Sequence, residues 1–222
     1  MVKKKKHSHF KLEADAVLIL RQVIALAMLS VASYFDIKYR EVDDRIWIAG
    51  AIPGIIPYFL SPVPSIITFV YMGVGAAVGI SWFVTRAFGQ ADGLALIALA
   101  IIFPSFNEIP VALVISLGSI FILGISGTLY NVILNISDVY HKKLFLGMNE
   151  SMMRKVVAFL TLHRKRSNEK FVISRQANDK FLFRIKVDPD EEFAGNCTGY
   201  VSTAFPLVPF MLAVLVAFLA LF

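Results

Sequence analysis

Apolar residues run along this chain in long blocks broken by short polar breaks. The blocks fall at 16–35 (AVLILRQVIALAMLSVASYF), 46–60 (IWIAGAIPGIIPYFL), 65–88, 92–106, 109–136 and 201–222. A helix that crosses a bilayer needs about 20 mostly apolar residues, so the pattern predicts six transmembrane helices. The fourth block is the shortest, because Pro104 follows Phe103 and ends the clean helical run that starts at Asp92. At about 1.5 Å of rise per residue it reaches only some 18 Å into a hydrocarbon core of about 30 Å. Pro53 and Pro57 each remove a helix hydrogen bond from the second block. Gly75-x-x-x-Gly79 in the third gives a small-residue face on which another helix can lie closely.

Between the fifth and sixth blocks the periodicity changes. "SMMRKVVAFLTLHRKR" places apolar residues at helical spacing beside a basic end. That suits an amphipathic helix, either lying on the lipid surface or packed against its own domain. "KFVISRQANDKFLFRIKV" alternates β-branched and aromatic residues around Ala177-Asn178-Asp179 and predicts a β-hairpin. "DPDEE" then reads as a solvated acidic loop. The expected fold is an all-α polytopic membrane protein of six transmembrane helices with a small cytoplasmic segment holding the amphipathic helix and the hairpin. The expected division is 1–136 for the membrane region, 137–198 for the cytoplasmic segment and 199–222 for the sixth helix.

Composition agrees with the pattern. Of 222 residues, 57% are hydrophobic and 17% charged, too few polar groups to cover a soluble core. The single cysteine, Cys197, excludes an internal disulfide, and His7, His9, His141 and His163 are not spaced as a ligand set, so neither a metal nor a cofactor is expected. The net charge of +6 has no groove-reading motif with it, so the basic residues read as topology signals and contacts to membrane lipids, with no nucleic acid as partner. Lys38, Arg40, Arg45 and Arg86, with twelve Lys or Arg between Asp138 and Glu192, fall on one side if six helices alternate. The positive-inside rule makes that side cytoplasmic. The N-terminal "KKKKHSHFK" would then lie outside, against the same rule.

Two carboxylates stand where apolar helices meet that side: Asp36 in "SVASYFDIKYREVDDRIWI" and Asp92 in "FGQADGLALIALAIIF". A carboxylate at the edge of hydrocarbon needs compensation. If the two helices pack together, the acids can share one proton, giving an ionised partner to take a proton from water and a protonated one to donate to a carbonyl. Interfacial anchors and ion-pathway residues can carry the same pair. Gly89, Ala91 and Gly93 leave little bulk around Asp92, so a substrate backbone could lie on that turn, and glycine tolerates φ values that other residues avoid. Glu41, Asp43 and Asp44 crowd acidic charge beside Asp36 and either attract a basic peptide or pair with Lys38, Arg40 and Arg45.

These segments resemble the catalytic segments of the archaeal preflagellin and type IV prepilin peptidases, the GxGD group of aspartic membrane proteases. Asp36, Arg40 and Val42 match the family's first Asp-x-x-x-Arg-x-(Ile/Val) segment; Gly89 and Asp92 match the second, with Ala91 in place of its second glycine and Leu94 where many relatives have lysine. The resemblance covers roughly the first 110 residues. It implies an endopeptidase that removes the short basic leader from archaellin and pilin-like precursors at the cytoplasmic face of the cell membrane, with Asp36 and Asp92 catalytic. A presenilin-like protease cutting within substrate helices and a non-enzymatic transporter or assembly factor are the alternatives. The bacterial relatives carry an added Cys-x-x-Cys domain and methylate their products; with one cysteine, this chain is expected to do neither.

Overall fold

The computed structural model describes residues 2–60, 65–85, 88–141, 144–145, 148–166, 169–174, 176–177, 180–181 and 199–221, with side chains from residue 15 onward. Arg86, Asn178, Asp179, the acidic loop 188–192 and Cys197 lie outside the described residues.

The chain is mostly helical. Among the described residues, three helices are long and apolar enough to cross a membrane: α1 (Val2–Tyr39) over its segment Asp15–Tyr39, α3 (Ile66–Thr85) and α5 (Val111–Tyr140). The other apolar helices are shorter: α2 (Asp44–Leu60), α4 (Gln90–Ile102) and α7 (Val208–Leu221). The fourth block thus ends two residues before Pro104, as the residue preceding a proline disfavours helix. It is followed by the pair β1 (Ser105–Phe106) and β2 (Ile109–Pro110), joined through Asn107 and Glu108, both at positive φ (47° and 65°). Two successive left-handed residues make the tightest hairpin connection. The sixth block begins differently from expectation. Residues Tyr200–Thr203 form strand β7, and helix starts only at Val208, because a short apolar run of β-branched residues has no period that separates strand from helix.

Two compact units divide the chain, Met1–Ser119 with Pro206–Phe222, and Ile120–Phe205, with the boundary inside α5. In the first, α4 packs against α1, α2 and α3. Its Ala95, Leu96, Leu99, Ala100 and Ile102 are fully buried, so this short helix faces protein where a lipid-exposed one would have to match the bilayer. Glycines set its distance from α3: a Cβ on Gly79 would lie 2.7 Å from the Gly93 carbonyl oxygen, and one on Gly75 2.8 Å from Ala100 and Ala112. The close crossing foreseen for Gly75-x-x-x-Gly79 is therefore made with α4. The Tyr58 hydroxyl of α2 donates to the Ile101 carbonyl at 2.7 Å, satisfying an acceptor that the end of α4 leaves open. The Arg21 guanidinium, inside the apolar stretch of α1, lies 4.4 Å from the Tyr58 ring centre.

The second unit holds the last part of α5, α6 (Met152–Thr161) and a three-stranded antiparallel sheet in the order β3 (His163–Arg164), β7, β4 (Val172–Ser174). The amphipathic helix falls where its spacing placed it, capped by the Ser151 side chain. Its Met152, Met153 and Val156 are exposed. Strand β5 (Gln176–Ala177) pairs antiparallel with β6 (Lys180–Phe181). The stretch just before it, β4, pairs with β7. Tyr200 hydrogen-bonds the Phe145 amide and packs with Phe145 and Phe181 as the unit's aromatic core.

Candidate active site

Asp92 occupies the third position of α4, one turn inside its start. Its Oδ2 accepts the Gly89 amide at 2.9 Å, while the Asp92 amide donates to the Gly89 carbonyl at 3.1 Å. This is the carboxylate half of a capping box, and it places the negative group where the helix dipole is positive. The side chain is only 8% exposed. Neighbouring Gly93 is buried against α3, where a Cβ would lie 2.8 Å from the Phe83 amide nitrogen. Gly89 has φ −61°, ψ 147°, a conformation open to any residue, and Gly93 is helical. The conformational freedom that the sequence suggested is thus not used here: Gly93 is small so that two helices can touch. Ala91 is partly exposed.

Asp36 lies in the last turn of α1, at the same end of the bundle. Its Oδ2 accepts the Val208 amide at 3.1 Å, with the Leu207 amide as a second donor. The carboxylate of one helix therefore caps the start of another that begins 172 residues later. Asp36 and Asp92 are within electrostatic reach of each other. The Arg40 charge also acts on Asp36. Arg40 ends α1 with φ +58°, its amide closing onto the Asp36 carbonyl at 3.1 Å. Glycine is the usual residue at such a left-handed helix end. Arginine is held there at the cost of strain, and its charge acts on the Asp36 carboxylate.

Glu41, Asp43 and Asp44 are exposed beside this end of α1. Asp43 Oδ1 accepts the Arg45 amide at 2.9 Å and its carbonyl the Ile46 amide at 2.9 Å, so Asp43 caps α2, with Asp44 in the first turn. Val42 is buried.

A second polar cluster, in the unit Ile120–Phe205, was not singled out from the sequence. Buried His163 places Nδ1 2.9 Å from Asn131 Oδ1 and Nε2 2.9 Å from Glu169 Oε2. Glu169 also accepts the Tyr130 hydroxyl at 3.0 Å and the Arg166 amide at 3.2 Å. Burial acts to raise the Glu169 carboxyl, but hydrogen bonds from His163, the Arg166 amide and Tyr130, with the attraction of His163, outweigh it and hold the group below its ordinary value. Asn131 and Asn135, one turn apart on α5, donate to the Leu160, Phe159 and Leu162 carbonyls, which the end of α6 leaves open.

Residues 23–130, the stretch that carries both aspartates, match the model of the type IV leader peptidase family. Through this region, just under half of its length, the chain is similar to the type IV leader peptidase family. That match indicates a peptidase, and together with the apolar helices it supports a multi-pass membrane protein. Pilin-like precursors are the substrates that the family implies. No curated protein and no solved structure matches the chain.

Proposed function

We propose that the chain is an aspartic endopeptidase that removes the short basic leader from archaellin and other pilin-like precursors at the cytoplasmic face of the cell membrane, with Asp36 and Asp92 as its catalytic pair. The observation that carries this reading is the placement of the two carboxylates at one end of the bundle, within electrostatic reach, in a segment of leader peptidase type. The ionised partner takes a proton from water as the water oxygen bonds to the scissile carbonyl carbon. The protonated partner gives its proton to the carbonyl oxygen. Collapse of the tetrahedral species breaks the C–N bond, and a proton passes to the leaving amine.

Shallow placement of the pair suits a substrate extended at the membrane surface, since a peptide bond inside a helix is shielded by its own hydrogen bonds. The exposed acids Glu41, Asp43 and Asp44 suit attraction of a basic leader. Six crossings, α2, α4 and α7 among them, would put the three basic regions inside, and α6 would then lie against the inner lipid surface. Incubation of the detergent-solubilised enzyme with full-length archaellin and pilin precursors, followed by intact-mass analysis, tests the reading. A single cut just before the precursor's apolar helix is expected. A cut within that helix, or uncut precursor, overturns it.

A further inference from the structure

The start of α7 is unusual in how few hydrogen-bond donors it offers. Pro206 and Pro209 have no N–H, and the Phe210 and Met211 amides turn back onto the Leu207 carbonyl. That leaves the Leu207 and Val208 amides as the donors directed outward, and both go to the Asp36 carboxylate. Leu207 is 4% and Val208 1% exposed, so these amides need a protein partner. A carboxylate meets that need best when it is charged, because two N–H donors and the positive end of a 14-residue helix converge on it. Asp92 is furnished otherwise, with the Gly89 amide on one oxygen and more complete burial.

We propose that the Leu207 and Val208 amides at the start of α7 are the positioning device of the reaction, holding Asp36 as the charged member of the pair. Asp36 then takes the proton from the attacking water, and Asp92 gives its proton to the carbonyl oxygen. This inference rests on the reading of Asp36 and Asp92 as the catalytic pair.

The test removes one amide. Proline is tolerated at the first position of a helix, so Val208→Pro deletes the N–H while leaving the helix able to form. A backbone ester at position 208, which keeps the valine side chain and replaces only the N–H, reads the same quantity should the proline variant fail to insert. Loss of a hydrogen bond to a charged group predicts a fall in kcat of roughly 10- to 100-fold for cleavage of a full-length pilin precursor, with KM changed less than about twofold. Met211→Ala, which opens a cavity on the buried face of α7, is expected to lower thermal stability and leave kcat and KM near wild type. Wild-type kcat in the variant lacking the amide, with Asp36→Asn inactive, overturns the positioning role alone. Loss of kcat in Met211→Ala equal to that of the amide variant also overturns it, since packing would then carry the effect. Wild-type processing by Asp36→Asn overturns instead the catalytic reading on which the inference rests.

Discussion

Glu169 and Asp92 are both carboxylates drawn out of solvent, and the chain furnishes them in opposite ways. Glu169 receives the His163 ring, the Tyr130 hydroxyl and the Arg166 amide over its two oxygens. Asp92 receives the Gly89 amide on one oxygen and has another acid within reach. A carboxylate with donors on both oxygens is settled in one charge state and stabilises what it joins. One with a single donor among the described residues and a like-charged neighbour is placed to exchange a proton. The contrast sets a structural clasp beside the carboxylate proposed as reactive.

The largest effect that would test the contrast is on turnover. Asp36→Asn and Asp92→Asn are each expected to lower precursor cleavage by about 10²- to 10⁴-fold, the usual range for a lost acid or base, with helical content and thermal midpoint in detergent close to wild type. Equal loss of stability and activity would place Asp92 with Glu169 as a structural group. Gly93→Ala comes next. Its methyl would meet α3 backbone at 2.7 and 2.8 Å, so overpacking should cost roughly 1–3 kcal/mol in a detergent unfolding assay and lower kcat through the displaced neighbour Asp92. Glu169→Gln should do the reverse of the Asp92 change: a loss of about 1–3 kcal/mol from the unit Ile120–Phe205, read by hydrogen exchange of β3 and β7, with kcat per folded molecule unchanged.

Acid sharpens the same comparison. The Glu169 carboxyl is held below the value of about 4.5 that it has unfolded. Its stabilising contribution is therefore complete above that value and is lost as pH falls through the lower, folded one. Exchange protection around His163 should drop over that acid window, and Glu169→Gln should flatten the drop. The smallest effect concerns Arg40. Arg40→Gly relieves a left-handed residue worth about 1–2 kcal/mol and removes the charge beside Asp36, so a higher thermal midpoint with lower kcat is expected. Higher stability with full activity would mean that the guanidinium has no part in the site.

Much of this was legible in the chain because bilayer solvent writes a strong signal. Five apolar blocks fall largely within α1 to α5, although α1 starts at Val2, well before its block, and Asp36 and Asp92 stand out because a charge beside hydrocarbon is costly. Gly75 and Gly79 pack closely, as their spacing implies, and Gly93, beside Asp92, also lies against α3; spacing does not tell a glycine that admits a ligand from one that admits a helix. The sheet β3–β7–β4 escaped because its strands are two to four residues long and its partners distant, beyond what local periodicity encodes. Asn131 and Asn135 sat unremarked in an apolar run, being uncharged. The donors to Asp36 left no mark at all, since every residue but proline has an amide.

One bond sets a clock on the enzyme. Asp36 is translated long before Val208, and at about 5–20 residues per second the intervening 172 residues take on the order of 10 to 30 seconds to emerge. Throughout that interval the acid lacks the helix start that holds it in the finished chain, so on the proposed reading a half-made chain on the ribosome carries both aspartates before the element that positions Asp36 exists.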